Sequence, residues 1–410
     1  MLAARQAFLT KGGALPLCAE KDCFTGEKRM ISIALIGSTG SIGRQVCNVV
    51  RRYPDRFRLS ALVARRNKEL FFEQISEFRP ARAVLTERGV IAGMPTAPDG
   101  VFLAEGEEEA LRCIEACDVA FVAASGFAGL KYSLKAIACG KKLALANKET
   151  LVCGGELVMR EAARRGVDLV PVDSEHSALW QALHFDRRAP FEQLILTASG
   201  GPFYGKTREE LRNVTVEDTL RHPTWQMGAK ITVDSATLLN KGFEVIEARW
   251  LYDASFSKIR TVVQPTSIVH SMVAFADGSV LAQMSYPTME VPIQLALTYP
   301  ERLPAGLNIP DFAALGDIRF LPLERKAFPC YDLALTAGEQ GDNYPCALNA
   351  AGEEAVGAFL RRQIGFTQIA EVIEEVLSRT ERARADDYES LCGVDRRARE
   401  EAVKIIGNAQ

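Results

Sequence analysis

Between Ile31 and Val172 short apolar runs alternate with segments of helical period. Ile31–Ile36, Arg58–Ala64, Ala83–Leu85, Val119–Ala124, Lys142–Ala146 and Val167–Val172 read as strands. Helices are predicted over Ile42–Arg52, Lys68–Glu77, Glu107–Ala116 and Leu130–Cys139 between them. Strands joined through helices pair in parallel, because the crossover must return to the same end of the sheet. The expectation is an α/β fold that opens with a Rossmann-type doubly wound parallel sheet. After Val172 the texture changes. Longer strands at Gln193–Thr197, Thr261–Val263, Ser267–Phe275 and Ser279–Met284, with helices between, predict a central α+β domain. Tyr299–Phe328 is rich in Pro, Leu and Asp and reads as a linker, and from Cys330 the period is that of a C-terminal helical bundle. The division is therefore 1–29, 30–175, 176–298, a linker at 299–324, and 325–410.

The charge balance narrows the function classes. A net charge of -3 offers no basic field for nucleic acid, and no apolar stretch is long enough for a bilayer. The 10 cysteines are scattered without a C-x-x-C pair, and no secretory signal is present, so reduced thiols in a cytoplasmic setting are expected. Only 4 histidines occur, which points any metal towards carboxylate ligands. Residues 1–29 lack a clear period and read as a disordered extension.

Chemistry concentrates at the ends of the predicted strands. Gly37-Ser38-Thr39-Gly40-Ser41-Ile42-Gly43 joins strand to helix with the spacing G-x-x-G-x-x-G. Such a turn brings backbone close to a pyrophosphate at a helix N-terminus, although an ordinary glycine turn has the same composition. Ala64-Arg65-Arg66-Asn67 ends the second strand without the acidic residue an NAD ribose prefers. Two guanidinium groups there suit a 2′-phosphate and favour NADP, or form a solvated loop. Asn147, Lys148 and Glu149 follow the Lys142–Ala146 strand, where ligands sit in open α/β sheets. Asp173 and Glu175, at i and i+2 around Ser174, read as extended-chain neighbours facing one way. Their repulsion calls for a cation, although Asp173 and Ser174 also suit a helix cap. Ser199-Gly200-Gly201 ends another strand and suits a phosphate or a plain turn. His222 to Gly228, with Trp225 and Met227, suits a lid or a hydrophobic plug.

The run DSATLLNKGFEVIEA, from Asp234 to Ala248, reads as a helix with an inverted pattern. Thr237, Asn240, Lys241 and Glu244 form a narrow polar stripe along an apolar cylinder. Buried amide, ammonium and carboxylate groups need partners, which a phosphate and a metal ion would supply. An internal Lys241–Glu244 pair is the simpler alternative. With Asp173 and Glu175, Glu244 would complete a hard oxygen site for Mg²⁺ or Mn²⁺.

The ordered set GSTGSIG, GFAGL, LANKETLV, PVDSEHSA, LTASGGPF, HPTWQMGAKITVDSATLLNKGFEVIEA and SIVHSMV closely resembles the 1-deoxy-D-xylulose 5-phosphate reductoisomerase family from about Met30 to Phe366. The resemblance implies isomerisation and NADPH-dependent reduction of a ketose phosphate with Mg²⁺ or Mn²⁺. It implies a homodimer paired through the central domain, with 30–175 binding NADPH and 176–298 serving catalysis and dimerisation. It places metal ligands on Asp173, Glu175 and Glu244. Substrate contacts fall on Lys148, Ser174, Glu175, Ser199, His222, Ser235, Asn240, Lys241 and Glu244, with Trp225 on the closing loop. Cofactor contacts fall on Thr39, Gly40, Ser41, Ile42, Arg65, Arg66, Asn67, Asn147, Glu149 and Gly228. Departures from the family pattern stand at Arg65, Gln264, Thr288 and Gly352. The competing readings are a metal-independent NADP-dependent semialdehyde-type dehydrogenase and a catalytically inactive NADP-binding scaffold.

Overall fold

The computed structural model describes residues 29–408, so the disordered extension expected at 1–29 lies outside the described residues except for Arg29. The first half is the sheet the alternation predicts. It comprises β1 (Ile31–Ile36), α1 (Ser41–Arg52), β2 (Phe57–Ala64), α2 (Lys68–Phe78), β3 (Arg82–Leu85), β4 (Phe102–Glu105), α3 (Glu107–Arg112), β5 (Val119–Val122), α4 (Gly129–Ala138), β6 (Lys142–Leu145), α5 (Glu149–Arg165) and β7 (Leu169–Pro171). All seven strands are parallel in the order β4-β3-β2-β1-β5-β6-β7. Both sheet faces are covered, and Ile33, Leu35, Leu62, Val84 and Phe121 are fully buried, as a parallel sheet requires. Strand β4 was absent from the sequence reading because it is an edge strand of four residues, none of them buried. The helix expected to reach Ala116 ends at Arg112.

The second part contains α6 (Ser174–Ala182), β8 (Gln193–Ala198), α7 (Val216–Thr219), α8 (Ala229–Ala236), α9 (Leu239–Leu251), β9 (Ile259–Val263), β10 (Val269–Ala274), β11 (Val280–Met284) and α10 (Glu290–Thr298). Its strands form a mixed sheet ordered β11-β10-β8-β9. The predicted linker holds only the short α11 (Phe312–Leu315) and one bridge, from Leu321 to Val263. The chain then forms α12 (Pro329–Gln340), α13 (Tyr344–Leu360), α14 (Gln368–Arg379) and α15 (Tyr388–Asn408), which pack on one another and on α5 and α9.

The expected helix around Asn240 is two helices. Leu238 takes a left-handed backbone (φ 60°) and separates α8 from α9. Thr237 therefore leaves the polar stripe, and its hydroxyl donates back to Val233 and Asp234 carbonyls at 3.0 and 3.1 Å. Asn240, Lys241 and Glu244 keep their shared face on α9, where Lys241 and Glu244 are buried.

Candidate active site

In a doubly wound sheet the order reverses between β1 and β5, and the crevice at the carboxyl ends of those strands takes ligands. Four successive strand ends there carry chemistry: the glycine turn after β1, Ser125-Gly126 after β5, Asn147-Lys148-Glu149 after β6 and Asp173 after β7. At Gly37 (φ +91°) a Cβ would lie 2.5 Å from the Ala123 carbonyl oxygen. At Gly43 it would lie 2.3 Å from the Gly37 carbonyl oxygen. Only glycine at both positions lets α1 sit directly over the turn. The N-cap of α1, Gly40, has no capping side chain, and no acidic residue stands in the first turn. The free N–H groups and the helix dipole thus fit an anionic pyrophosphate beside Thr39, Gly40, Ser41 and Ile42.

The other cofactor candidates divide. Arg65 and Arg66 are exposed after β2, with Arg65 only 3.4 Å from Glu87. Asn67 caps α2 by accepting from Leu70 N–H at 3.3 Å. Asn147 is buried and fully engaged. Its amide donates to Ala124 O, Gly126 O and Glu149 at 2.7–3.0 Å, while its oxygen accepts from Thr150 N–H. Glu149, also buried, accepts a further bond from Lys230 at 3.0 Å. Asn147 and Glu149 hold the wall of the crevice from behind, whereas Ser41, Ile42, Lys148 and Gly228 face into a cavity of about 980 Å³.

The same cavity holds the acids. Ligand atoms of Asp173, Glu175 and Glu244 all lie within 4.8 Å of one another. They do not meet as extended-chain neighbours. The chain turns after β7, Asp173 caps α6 by accepting from Glu175 N–H at 3.1 Å, and Glu175 stands in the first helical turn. The capping alternative and the cluster are thus one geometry, because Asp173 caps with one oxygen and turns the other towards Lys148, 2.9 Å away. Lys148 Nζ also lies 3.2 Å from Glu244 and donates to Asn240 at 2.6 Å. Lys241 pairs with Glu175 at 2.8 Å and with Glu244, and donates to the Thr197 carbonyl. Ser174 donates to Glu175.

Electrostatics follows from this crowding. Burial pushes Glu244 up to about 7, and the charge of Glu175 adds to the push. Burial acts on Asp173 in the same sense, but Lys148 outweighs it and holds that carboxyl well below its usual range. Burial opposes the charge of Lys148, yet Asp173, Glu244 and Glu247 keep its pKa well above the ordinary lysine value. Three hard oxygen donors against two ammonium groups make a donor set that fits a divalent cation of the Mg²⁺ or Mn²⁺ type.

A second polar group lies beside the acids. His222 Nε2 is 3.1 Å from Ser199 Oγ and 3.3 Å from Ser235 Oγ, and its Nδ1 accepts from the N–H of Thr224 and of Trp225. The ring is therefore neutral with its proton on Nε2, aimed at the two hydroxyls, and burial lowers its pKa. Nitrogen-15 NMR is expected to show that tautomer at neutral pH, with the ring taking up a proton only below the ordinary histidine range. A ring with its proton on Nδ1 would contradict this. Ser199, Ser235 and His222 together present donors to an anion such as a phosphate ester. Trp225 covers this end and meets His270 at 6.1 Å between ring centroids.

Sequence reasoning missed some of the wall. His270, Met289 and Arg44 line the cavity. His270 lies in the SIVHSMV segment, whose apolar strand pattern did not single it out as a site residue. The departures from the family pattern have local roles. Gln264 accepts from Ile268 N–H at 2.8 Å and Thr288 Oγ accepts from Glu290 N–H at 3.1 Å. A Cβ at Gly352 would lie 2.9 Å from Leu239, so glycine brings α13 close to the start of α9.

Comparison with known proteins identifies relatives along nearly the whole chain. The family model for 1-deoxy-D-xylulose 5-phosphate reductoisomerase matches residues 33–155, that for its C-terminal domain matches 169–252, and a DXP reductoisomerase C-terminal domain model matches 284–401. The chain is 46% identical over 382 residues to the reductoisomerase of Pelotomaculum thermopropionicum, covering 92% of this chain and 99% of the relative. It is 48% identical over 372 residues to that of Geobacillus kaustophilus, with coverages of 90% and 97%. Among solved structures, the Zymomonas mobilis reductoisomerase in complex with NADPH superposes with a TM-score of 0.84 at 35% identity, covering 92% and 99% of the two chains. A DOX-P reductoisomerase in complex with NADPH, fosmidomycin and magnesium gives 0.85 at 35% identity, with coverages of 92% and 98%.

Proposed function

The chain belongs to the 1-deoxy-D-xylulose 5-phosphate reductoisomerase family, and from that membership we propose how its own residues divide the reaction. The enzyme converts 1-deoxy-D-xylulose 5-phosphate to 2-C-methyl-D-erythritol 4-phosphate in isoprenoid precursor biosynthesis, using NADPH and a divalent metal ion. NADPH supplies the hydride, and the metal ion supplies Lewis acidity at the sugar oxygens.

Asp173, Glu175 and Glu244 hold the metal ion. Ser199, His222, Ser235, Asn240 and Lys241 bind the phosphate end, and Ser174 completes the wall at Glu175. That remote anchoring orients the reacting carbons. Lys148, a buried ammonium within hydrogen-bond reach of two of the acids, holds a proton beside the substrate hydroxyls and moves with their charge. Trp225, on the loop ending at Gly228, excludes water. On the cofactor side, Thr39, Gly40, Ser41 and Ile42 take the pyrophosphate, Arg65, Arg66 and Asn67 surround the 2′-phosphate, and Asn147 and Glu149 shape the nicotinamide end. The observation that carries this reading is the convergence of three acids from β7–α6 and α9 in the same cavity as the glycine-cradled helix N-terminus. A metal-independent semialdehyde-type dehydrogenase gives those acids no work, and an inactive scaffold gives none to Lys148.

We further assign 30–175 to cofactor binding, 176–298 to catalysis and dimerisation, 299–324 to the linker and 325–410 to the helical domain. Support for pairing of two copies comes from β11, an edge strand that exposes Val280 and Leu281. A cytoplasmic setting accords with the free cysteines, and no helix among the described residues is long and apolar enough to cross a membrane.

The direct test is NADPH oxidation with 1-deoxy-D-xylulose 5-phosphate. Turnover that requires Mg²⁺ or Mn²⁺ and stops with EDTA is expected, and turnover unaffected by EDTA would overturn the metal assignment. Replacing Arg65 and Arg66 together by Ala is expected to reduce the preference for NADPH over NADH by about tenfold or more, since a charge-assisted clamp on the 2′-phosphate is lost. An unchanged ratio of kcat/KM for the two cofactors would place the 2′-phosphate elsewhere.

A further inference from the structure

Lys230 stands two residues beyond the closing loop, on the first turn of α8, and is given no part in the reaction above. Its ammonium nonetheless joins three elements. It donates to Glu149 at the start of α5 (3.0 Å), pairs with Asp234 on its own helix (2.9 Å), and lies 5.6 Å from the Phe243 ring centre on α9. Glu149 and Asp234 are both buried, so the carboxylate ends of the ion pairs are hidden from solvent, while Lys230 is half-buried. Glu149 in turn accepts from Asn147, whose amide also donates to the carbonyls of Ala124 and Gly126 after β5. The chain of contacts runs from α8, which carries Ser235, through Lys230 and Glu149 to the loops after β5 and β6, which carry Lys148.

We propose that Lys230 is a positioning residue that fixes the cofactor-side loops against the substrate-side helices, so that the nicotinamide end and the sugar end of the cavity keep one alignment. The physical ground is that a buried carboxylate without a cation must find another partner or take up a proton. Without Lys230, Glu149 loses its only cationic hydrogen-bond donor among the described residues, and Asn147 is left to hold both its loops and an uncompensated charge. A residue serving stability alone would lower the melting temperature without selecting among ligands. Lys230 instead acts on the cofactor end. The inference rests on the assignment of Glu149 to the cofactor site.

The test is titration of NADPH fluorescence in the full chain for Lys230→Gln, Lys230→Arg, Glu149→Gln and the double variant Lys230→Gln/Glu149→Gln, alongside KM and kcat. Lys230→Gln is expected to raise the NADPH dissociation constant about tenfold and KM for NADPH equally, with KM for the sugar phosphate changed by less than about threefold. Glu149→Gln is expected to do the same, and the double variant to be no worse than either single one, because contacting partners do not add. Lys230→Arg keeps a cation in reach and is expected to recover most of the affinity. If Lys230→Gln alone does not fold, Lys230→Gln/Asp234→Asn leaves a neutral amide pair on α8, and the same weakened NADPH binding is expected. Unchanged NADPH affinity in a folded Lys230 variant, while Glu149→Gln weakens it, overturns the proposal and leaves the cofactor assignment standing. Unchanged affinity in Glu149→Gln removes the assignment on which the proposal depends.

Discussion

Glu244→Gln lowers turnover by about 10³-fold, roughly 4 kcal/mol of transition-state stabilisation, while the NADPH dissociation constant stays within about threefold of the parent. The asymmetry comes from position. Glu244 sits on α9 with only 1% of its surface exposed, facing Lys148, Lys241 and Asn240, and it closes the cluster begun by Asp173 and Glu175. Glutamine keeps the volume and one accepting oxygen, so the hydrogen bonds of Asn240 and Lys148 survive. Lys241, which loses this partner, keeps Glu175 and the Thr197 carbonyl, so the fold persists. What disappears is one of three anionic donors. Two carboxylates hold a hard divalent ion less tightly and place it less well, and the charge developing on the sugar oxygens in the transition state loses its counterpart. The glycine turn and the N-terminus of α1 belong to a different wall of the cavity, and cofactor binding is spared. Steady-state kinetics and NADPH fluorescence check the two halves separately. Loss of both together would point to a structural role for Glu244.

Lys148→Met is expected to have the second large effect, and on two observables. Turnover falls by about 10³-fold because the ammonium that the loop after β6 brings to the reacting end is gone. Stability changes as well, in a manner that depends on the metal. Asp173 and Glu244 lie 2.9 and 3.2 Å from Lys148; Lys148 and Glu244 are buried, and Asp173 is half-buried beside them. Removing one partner of a buried ion pair leaves an uncompensated charge, typically costing about 3–5 kcal/mol. In EDTA the variant should therefore melt several degrees below the parent. Mg²⁺ or Mn²⁺ in excess should close much of that gap, because a cation binding only the folded state stabilises it by mass action. Calorimetry with and without metal checks this. A melting temperature in EDTA equal to the parent's would mean that the acids have found another way to neutralise one another.

Much of this was legible in the residues, for physical reasons that differ from place to place. The parallel sheet was visible because strands covered on both faces are largely apolar: Val119–Val122 is so throughout, and Ile31–Ile36 is apart from Ser32. Strand β4 was not visible, since an edge strand half open to solvent has no such requirement. The acids of the cluster were named from spacing, but the spacing argument used the wrong geometry. Asp173 and Glu175 converge through a helix cap, which a period-of-two reading does not contain. The stripe on α9 was read correctly from Asn240 to Glu244 and wrongly at Thr237, where Leu238 in a left-handed conformation ends the period. No local pattern announces that break, because leucine is an ordinary helix former and tertiary packing holds it there. The Lys241–Glu244 pair offered as the simple alternative is present together with the cluster. The tie through Lys230 was invisible because its partner Glu149 lies 81 residues away.

The most direct measurement is anomalous scattering from crystals of the protein grown with Mn²⁺ and NADPH. The expected result is one peak per chain, about 2.0–2.3 Å from oxygens of Asp173, Glu175 and Glu244, at hard-cation distances. Those three side chains facing no anomalous peak while Mn²⁺ occupies another part of the molecule, or Mn²⁺ binding equally well in the Glu244→Gln protein, would contradict it.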